Sequence, residues 1–318
     1  MKVRDFIDRH YTNYNSRVVR DAAVAYERHL QAGGKMMVTL AGAMSTARLG
    51  RHLSRLIDAD MVHAICCTGA NLEEDAFNLL AGEDYEPIAD WRALRAEDDV
   101  ALYERGMNRV TDACIPETVM RHMEHQLVRA WATSTRPLRP GQYMKQVLAD
   151  PEVAQHFQRP SESWVLAASR KDVPIWTPGW EDSTTGNIFA ANVMMGKVPD
   201  HNAVAHGTRQ FVELMEWYQE NQFEGPSVGF FQIGGGIAGD FAICSVPCLI
   251  QDLGREDTRF WGYFCQISDA VTSYGGYSGA PPNEKITWGK LDADTPKFMI
   301  ESDATIVAPL IFSWLLGD

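Results

Sequence analysis

The chain has 318 residues, 45% hydrophobic and 22% charged, the balance of a globular protein able to bury one large core. Its net charge is -13, from 29 basic against 42 acidic residues, and no basic stripe with interleaved aromatics offsets it, which argues against a nucleic-acid partner. No apolar run approaches the roughly 20 residues of a membrane span, and Met1-Lys2-Val3-Arg4-Asp5 lacks a signal-peptide core, so a cytoplasmic protein without a membrane partner is expected.

Apolar residues recur at helical spacing from Val19 to Ala32, and Gly33-Gly34 ends the run as a helix C-cap would. Lys35 to Leu40 reads as a buried strand, Ser45 to Ile57 as an amphipathic helix, and Met61 to Cys67 as the next strand. The turn at Thr68-Gly69-Ala70 then leads into a helix through Leu80. Strand, turn, helix, strand is the order of parallel βαβ units. The middle is more helical, strongly so from Glu117 to Ala132.

A second α/β series follows. Trp164 to Ala168 reads as a strand, with a helix or turn over Arg170-Lys171, then Val173 to Trp176, a loop, and a helix from Phe211 to Asn221. Val228 to Ile233 is a continuous apolar strand of the kind buried in a parallel sheet, and Phe260 to Ile267 is another. With no Pro/Gly/Ser-rich linker, the expected organisation is an N-terminal helical segment over 1–35 and one α/β domain over 36–318, a Rossmann-like parallel sheet flanked by helices.

The six cysteines sit mostly in apolar runs, as buried thiols do, rather than in a disulfide frame. His122 and His125 have helical i, i+3 spacing, but no second ligand pair accompanies them and no metal is expected. The acidic balance has two readings, solubility alone or a pocket for a small polycation, with polyamines the obvious polycations of cytoplasm.

Gly234-x-Gly236-x-x-Gly239 directly after a strand has the dinucleotide-fingerprint spacing. Asp252 and Glu256 are the acidic residues at the expected distance, and neither sits clearly at a strand end, so the spacing alone does not establish a nucleotide site. Near the C-terminus Lys290 follows Trp288 and Gly289, with Glu284 six residues upstream. A lysine in an apolar, aromatic setting can shed its proton and attack a carbonyl or imine carbon. The plainer reading makes Trp288 core and Lys290 a solvated loop charge.

Ser278-Gly279-Ala280-Pro281-Pro282-Asn283-Glu284, three further residues and Trp288-Gly289-Lys290 resemble the active-site signature of the deoxyhypusine synthase family, Ser-Gly-Ala-x-Pro-x-Glu, three residues, Trp-Gly-Lys. Thr68-Gly69-Ala70-Asn71-Leu72-Glu73-Glu74-Asp75 resembles its Thr-Ala-Gly-Gly-x-Glu-Glu-Asp, and Pro178 to Gly186 its Pro-x-x-x-Asp-Gly-Ser-x-Gly. Gly234-Gly235-Gly236 and Ser302-Asp303-Ala304-Thr305 fit two more blocks, in the family's order, from about residue 38 onward.

The resemblance implies an NAD-dependent transfer of an aminobutyl group from a polyamine, spermidine or putrescine, through a lysine imine to an acceptor amine, in a homotetramer with shared active sites. It makes Lys290 the covalent lysine, Trp288 the apolar wall against the butyl chain, and Glu284 a holder of a substrate amine or a participant in proton transfer. Of Glu73 and Glu74, about 100° apart on a helix, one would reach polyamine and the other the nicotinamide ribose. NAD contacts would fall on Gly42, Ala43, Met44, Ser45, Thr46, Thr68, Gly69, Ala70, Glu74, Asp182, Gly235, Asp269, Ala270, Asp303 and Ala304.

The chain also departs from the family. Asp240 stands where a histidine is usual, Asn187 where Asp follows the glycine, and Tyr277 where Asp precedes the Ser-Gly-Ala turn. An altered substrate shell around a retained lysine points to a different donor or acceptor, with putrescine as acceptor in homospermidine synthesis one choice and a protein lysine, less favoured, another. The rival readings are NAD-dependent amine oxidation without transfer, and a non-catalytic polyamine- or NAD-binding protein.

Overall fold

The computed structural model describes residues 1–272 and 275–318. Nine strands follow one another along the chain: β1 (Lys35–Leu40), β2 (Ala64–Cys67), β3 (Glu86–Pro87), β4 (Met107–Val110), β5 (Ala113–Pro116), β6 (Ile175–Trp176), β7 (Val228–Ile233), β8 (Tyr263–Ser268) and β9 (Lys297–Glu301). Six form one parallel sheet in the order β6-β2-β1-β7-β8-β9, and β3, β5 and β4 form a small antiparallel sheet apart from it. Taken in chain order, the large sheet runs 3-2-1-4-5-6, the doubly wound arrangement. Its order reverses between β1 and β7, which opens a crevice at their carboxyl ends.

Alternation along the strands feeds two cores. Met36, Val38 and Leu40 of β1, with Phe231 and Ile233 of β7, face the helices Tyr14–Gln31, Gly50–Asp58 and Ala304–Leu316, whose Tyr26, Leu53, Ile57, Ile311 and Phe312 are buried against them. Met37, Phe230 and Phe264 point the other way, onto Leu214 and Tyr218 of helix Gly207–Asn221 and Ala242 and Ile243 of helix Gly236–Ile243. A sheet covered on both faces needs uninterrupted apolar strands, and β1, β2, β7 and β8 are buried nearly throughout. Helices Val3–His10 and Tyr14–Gln31 join the same core through Ile7, Val19 and Tyr26, and the Tyr263 hydroxyl donates to the Ala22 carbonyl at 3.0 Å.

Several expectations shift. Trp164 to Ala168 is not a strand but part of helix Trp164–Arg170: the buried Asp75 carboxylate accepts from the Ser163 hydroxyl at 2.5 Å and from the Trp164 and Val165 amides at 3.3 and 3.0 Å. These bonds reinforce the Ser163 N-cap, which accepts from the Leu166 amide at 3.1 Å, from 88 to 90 residues away, which local apolar content cannot register. The helix expected from Ser45 begins only at Gly50, because Ser45 and its neighbours turn back onto Asn71. The span expected as one helix from Glu117 is a 3₁₀ turn, Glu117–His122, followed by helix Glu124–Thr133. Among the described residues no helix is long and apolar enough to cross a membrane, and all six cysteines are free thiols.

Candidate active site

The crevice at the reversal is a cavity of about 330 Å³ at the carboxyl ends of β1, β7, β8 and β9. Gly42, Met44, Asp269, Asp303 and Ala304 line it, five of the expected cofactor positions, together with Gly234. Gly42 and Gly234 carry φ of +58 and +76°, the left-handed backbone that lets each strand turn sharply at its end. A Cβ on Gly235 would lie 1.9 Å from Ser278 Oγ, so this position admits only glycine if the two loops are to touch, and the Gly236 amide donates to that hydroxyl at 3.2 Å. Asp303 N-caps helix Ala304–Leu316 by accepting from the Thr305 amide at 2.7 Å and its hydroxyl at 2.8 Å. Exposed carboxylates, glycine turns and a helix start are groups that suit a ribose and a pyrophosphate.

Other expected cofactor residues lie elsewhere. Ser45 is buried; its hydroxyl donates to the Asn71 carbonyl at 2.7 Å and accepts from the Trp164 indole at 3.0 Å, which spends it on the fold. The Thr68 hydroxyl donates to the Gly42 carbonyl at 2.7 Å, and a Cβ on Gly69 would meet Ser183 at 2.6 Å. Thr68, Gly69 and Ala70 thus brace the crevice from the β2 side without lining it, and Ala43, Thr46, Asp182, Gly235 and Ala270 are likewise absent from its walls. Asp252 and Glu256 are exposed and distant in sequence from any strand end.

Glu73 and Glu74 part company. Glu73 accepts from the Thr184 and Thr185 amides at 2.9 and 2.7 Å and from the Thr185 hydroxyl at 2.9 Å, capping helix Thr184–Met194 from outside. Both of its oxygens are engaged there, and its side chain also lines the cavity that Glu74 faces. Glu74 faces a separate cavity of about 370 Å³ with Phe77, Ile115 and Met120, and its buried Oε2 has no hydrogen-bond partner among the described residues. Burial, reinforced by Glu73, pushes its carboxyl up to about 8.

Lys290 is 7% exposed. Its Nζ donates to Asp240 Oδ1 at 3.0 Å and lies 5.3 Å from the centre of the Tyr277 ring. Asp240 stands midway along helix Gly236–Ile243, which starts at the glycine loop, so one short helix links the crevice to the lysine. Asp240, Tyr277, Phe211, Ile237, Phe241 and Cys244 line a largely apolar pocket of about 500 Å³. Tyr277 donates to Gln232 at 3.2 Å, while Gln232 and Gln266 both donate to the Gly234 carbonyl, at 3.1 and 3.0 Å.

Trp288 is 62% exposed and is not among the walls beside Lys290. The helix Glu284–Thr287 ends after one turn and Gly289, at φ +69°, reverses the chain, which sends Trp288 outward and Lys290 inward. The apolar wall is therefore Phe211, Ile237, Phe241 and Tyr277. Glu284 and Asn187 are exposed. The walls of the crevice, the Glu74 cavity and the Lys290 pocket share no residue.

Sequence reading missed Gln232, Gln266 and Lys285. The glutamines had a signal: a polar side chain inside an apolar parallel strand must find partners. Lys285 is 3% exposed, and its Nζ lies 4.9 Å from the Phe264 ring centre and 5.0 Å from that of Tyr277. Nothing in its loop position distinguished it from a solvated lysine.

Comparison with known proteins agrees with this architecture. A deoxyhypusine synthase-like protein of Cyanothece sp. is 31% identical over 330 residues, covering 100% of this chain and 80% of the relative. One from Chlorobaculum parvum is 28% identical over 280 residues, covering 87% and 75%. A crystal structure from Entamoeba histolytica assigned to deoxyhypusine synthase superposes with a TM-score of 0.61 at 13% identity, over 100% of this chain and 94% of that one, a likeness of fold. The family model for deoxyhypusine synthase matches residues 8–315, taking in most of the N-terminal helices, and the chain belongs to the deoxyhypusine synthase family.

Proposed function

We propose that the protein is an NAD-dependent aminobutyl transferase in which Lys290 carries the transferred group as an imine. The observation that supports this most is the placement of Lys290: buried, paired to a half-exposed Asp240 and over the Tyr277 ring, two residues that line an apolar pocket. Such a pocket accepts a butyl chain, and Asp240 offers a counter-ion to an incoming ammonium group.

NAD, when bound, would accept a hydride from the carbon beside the donor's amine and later return it. The crevice fits it through the Gly42 and Gly234 turns and the Asp269 and Asp303 carboxylates. The Lys290 amine, as free base, adds to the resulting C=N carbon; its proton passes to the nitrogen already on that carbon, the bond to that nitrogen breaks, and the rest of the donor leaves as an amine while Lys290 keeps the aminobutyl group as an imine. The acceptor amine then displaces Lys290 in the same way. The apolar faces of Phe211, Phe241 and Tyr277 would lie along the butyl chain.

Spermidine or putrescine is the donor, and a small amine such as putrescine the acceptor, giving homospermidine. Glu74 serves as an ammonium site in its own cavity, and a homotetramer brings the three openings together across subunit interfaces. Turnover decides the reading. Lys290→Arg keeps charge but cannot form the imine, and retention of full transfer activity by that variant would sink the mechanism. NADH accumulating one-for-one with product would instead indicate amine oxidation without transfer.

A further inference from the structure

Behind the Tyr277 wall of the Lys290 pocket lies a second amine that the proposed mechanism does not use. Lys285 is buried, its Nζ has no hydrogen-bond partner among the described residues, and it rests against Phe264 of β8 and the same Tyr277 ring that Lys290 faces. Asp240 is already paired with Lys290, and Glu284, the other carboxylate facing Lys285, is exposed. A protonated Lys285 therefore adds a positive charge that no buried carboxylate offsets, behind the wall against which a cationic substrate would bind. Ring faces attract a cation but do not neutralise it.

We propose that Lys285 is a positioning residue that sets the charge of this pocket: its ammonium form opposes the binding of an aliphatic amine cation beside Asp240, and its free base permits it. The inference rests on the reading of the Lys290 pocket as the amine site. Burial first, and the Lys290 ammonium second, push Lys285 down to about 8, with Glu284 and Asp240 acting the other way, so the switch falls in an accessible range. The remaining titratable groups at the pocket are Cys244, Tyr277 and His206, which precedes the helix whose first turn lines it; all three are common to wild type and to the variants below.

The test is calorimetric titration of the full-length protein with 1,4-diaminobutane between about pH 7 and 9, at constant ionic strength. Wild type should bind about three- to tenfold more tightly at the upper end. Lys285→Met should bind tightly throughout, and Lys285→Arg, charged at every pH, weakly throughout. Opposite displacement by the two variants is not expected of a residue that only supports the fold, and either one alone, measured in a Glu74→Gln background that removes the other titrating ammonium site, abolishes the pH dependence should the other fail to fold. If wild type binds the diamine in a manner lost in Asp240→Asn, yet the Lys285 variants follow its pH course, the charge-setting role is wrong and the amine pocket stands. If wild type binds no diamine at any pH, the pocket reading fails and the inference falls with it.

Discussion

Lys290 and Asp240 meet at 3.0 Å with unequal exposure: the lysine side chain is 9% accessible and the aspartate 48%. The carboxylate can therefore be approached from solvent by a second cation while the lysine cannot leave its aromatic setting. An arriving ammonium group competes for Asp240 and frees Lys290 from its ion pair. In the proposed mechanism, substrate binding and release of the nucleophile would be one event.

Asp240→Asn removes the charge and keeps the shape. A charge-assisted hydrogen bond is worth about 1.5–3 kcal/mol, so diamine affinity should fall by about tenfold or more. Calorimetry on the variant checks this, and an unchanged dissociation constant would detach Asp240 from substrate recognition.

The Glu74 carboxyl stands at about 8 in the folded chain, raised by burial and by Glu73, against about 4.3 when unfolded. The folded state thus holds the proton longer, and its stability is greatest below the unfolded value and declines as pH rises toward 8. Asp75, pushed up to about 7 by burial despite its three donors, adds a decline of the same sign. Glu74→Gln should therefore match wild type near pH 4 and exceed it by on the order of a few kcal/mol at pH 8. Urea unfolding at the two pH values measures the gap; an equal gap at both would contradict the assignment.

Glu73 should respond in the opposite sense. Its oxygens hold the Thr184 and Thr185 amides and the Thr185 hydroxyl, so Glu73→Ala leaves those first-turn donors of helix Thr184–Met194 without their acceptor, with the Ser183 cap alone remaining. A loss of about 2 kcal/mol is expected, visible as a lower urea midpoint at neutral pH. Unaltered stability would show that these bonds do not hold the helix end.

Gly235→Ala places a methyl group 1.9 Å from Ser278 Oγ. The loop that precedes Lys290 must move, and NAD binding measured by fluorescence quenching should be lost while the far-ultraviolet dichroism of the fold persists. Adding Ser278→Gly removes the two nearest atoms in that clash and should restore part of the affinity. Full NAD affinity in Gly235→Ala alone would place the cofactor away from this loop.

The elements legible in sequence were those whose cause is local. β1 and β7 were read to the residue because their apolar runs end at glycines or small turns, as buried parallel strands do. Helix Trp164–Arg170 was misread because its short apolar run reads as a strand and the Asp75 bonds that reinforce its Ser163 cap come from another helix, and the antiparallel β3-β5-β4 sheet was not seen because its strands are two to four residues long and partly exposed. The same divide runs through the site. Lys290 and the glycine loop were marked by their motifs, whereas the separate fates of Glu73 and Glu74 depend on which way each side chain leaves the helix and what waits there. Trp288 illustrates the converse: its place in a motif foretold a wall, but the turn at Gly289 directs it to the surface.

The most direct measurement of the central claim is incubation of the protein with NAD and spermidine or putrescine, reduction with borohydride, and mass mapping of the peptide that contains Lys290. Gain of one aminobutyl group on Lys290 is the predicted result; an unmodified Lys290 with both donors, or the group carried on another lysine, would contradict it.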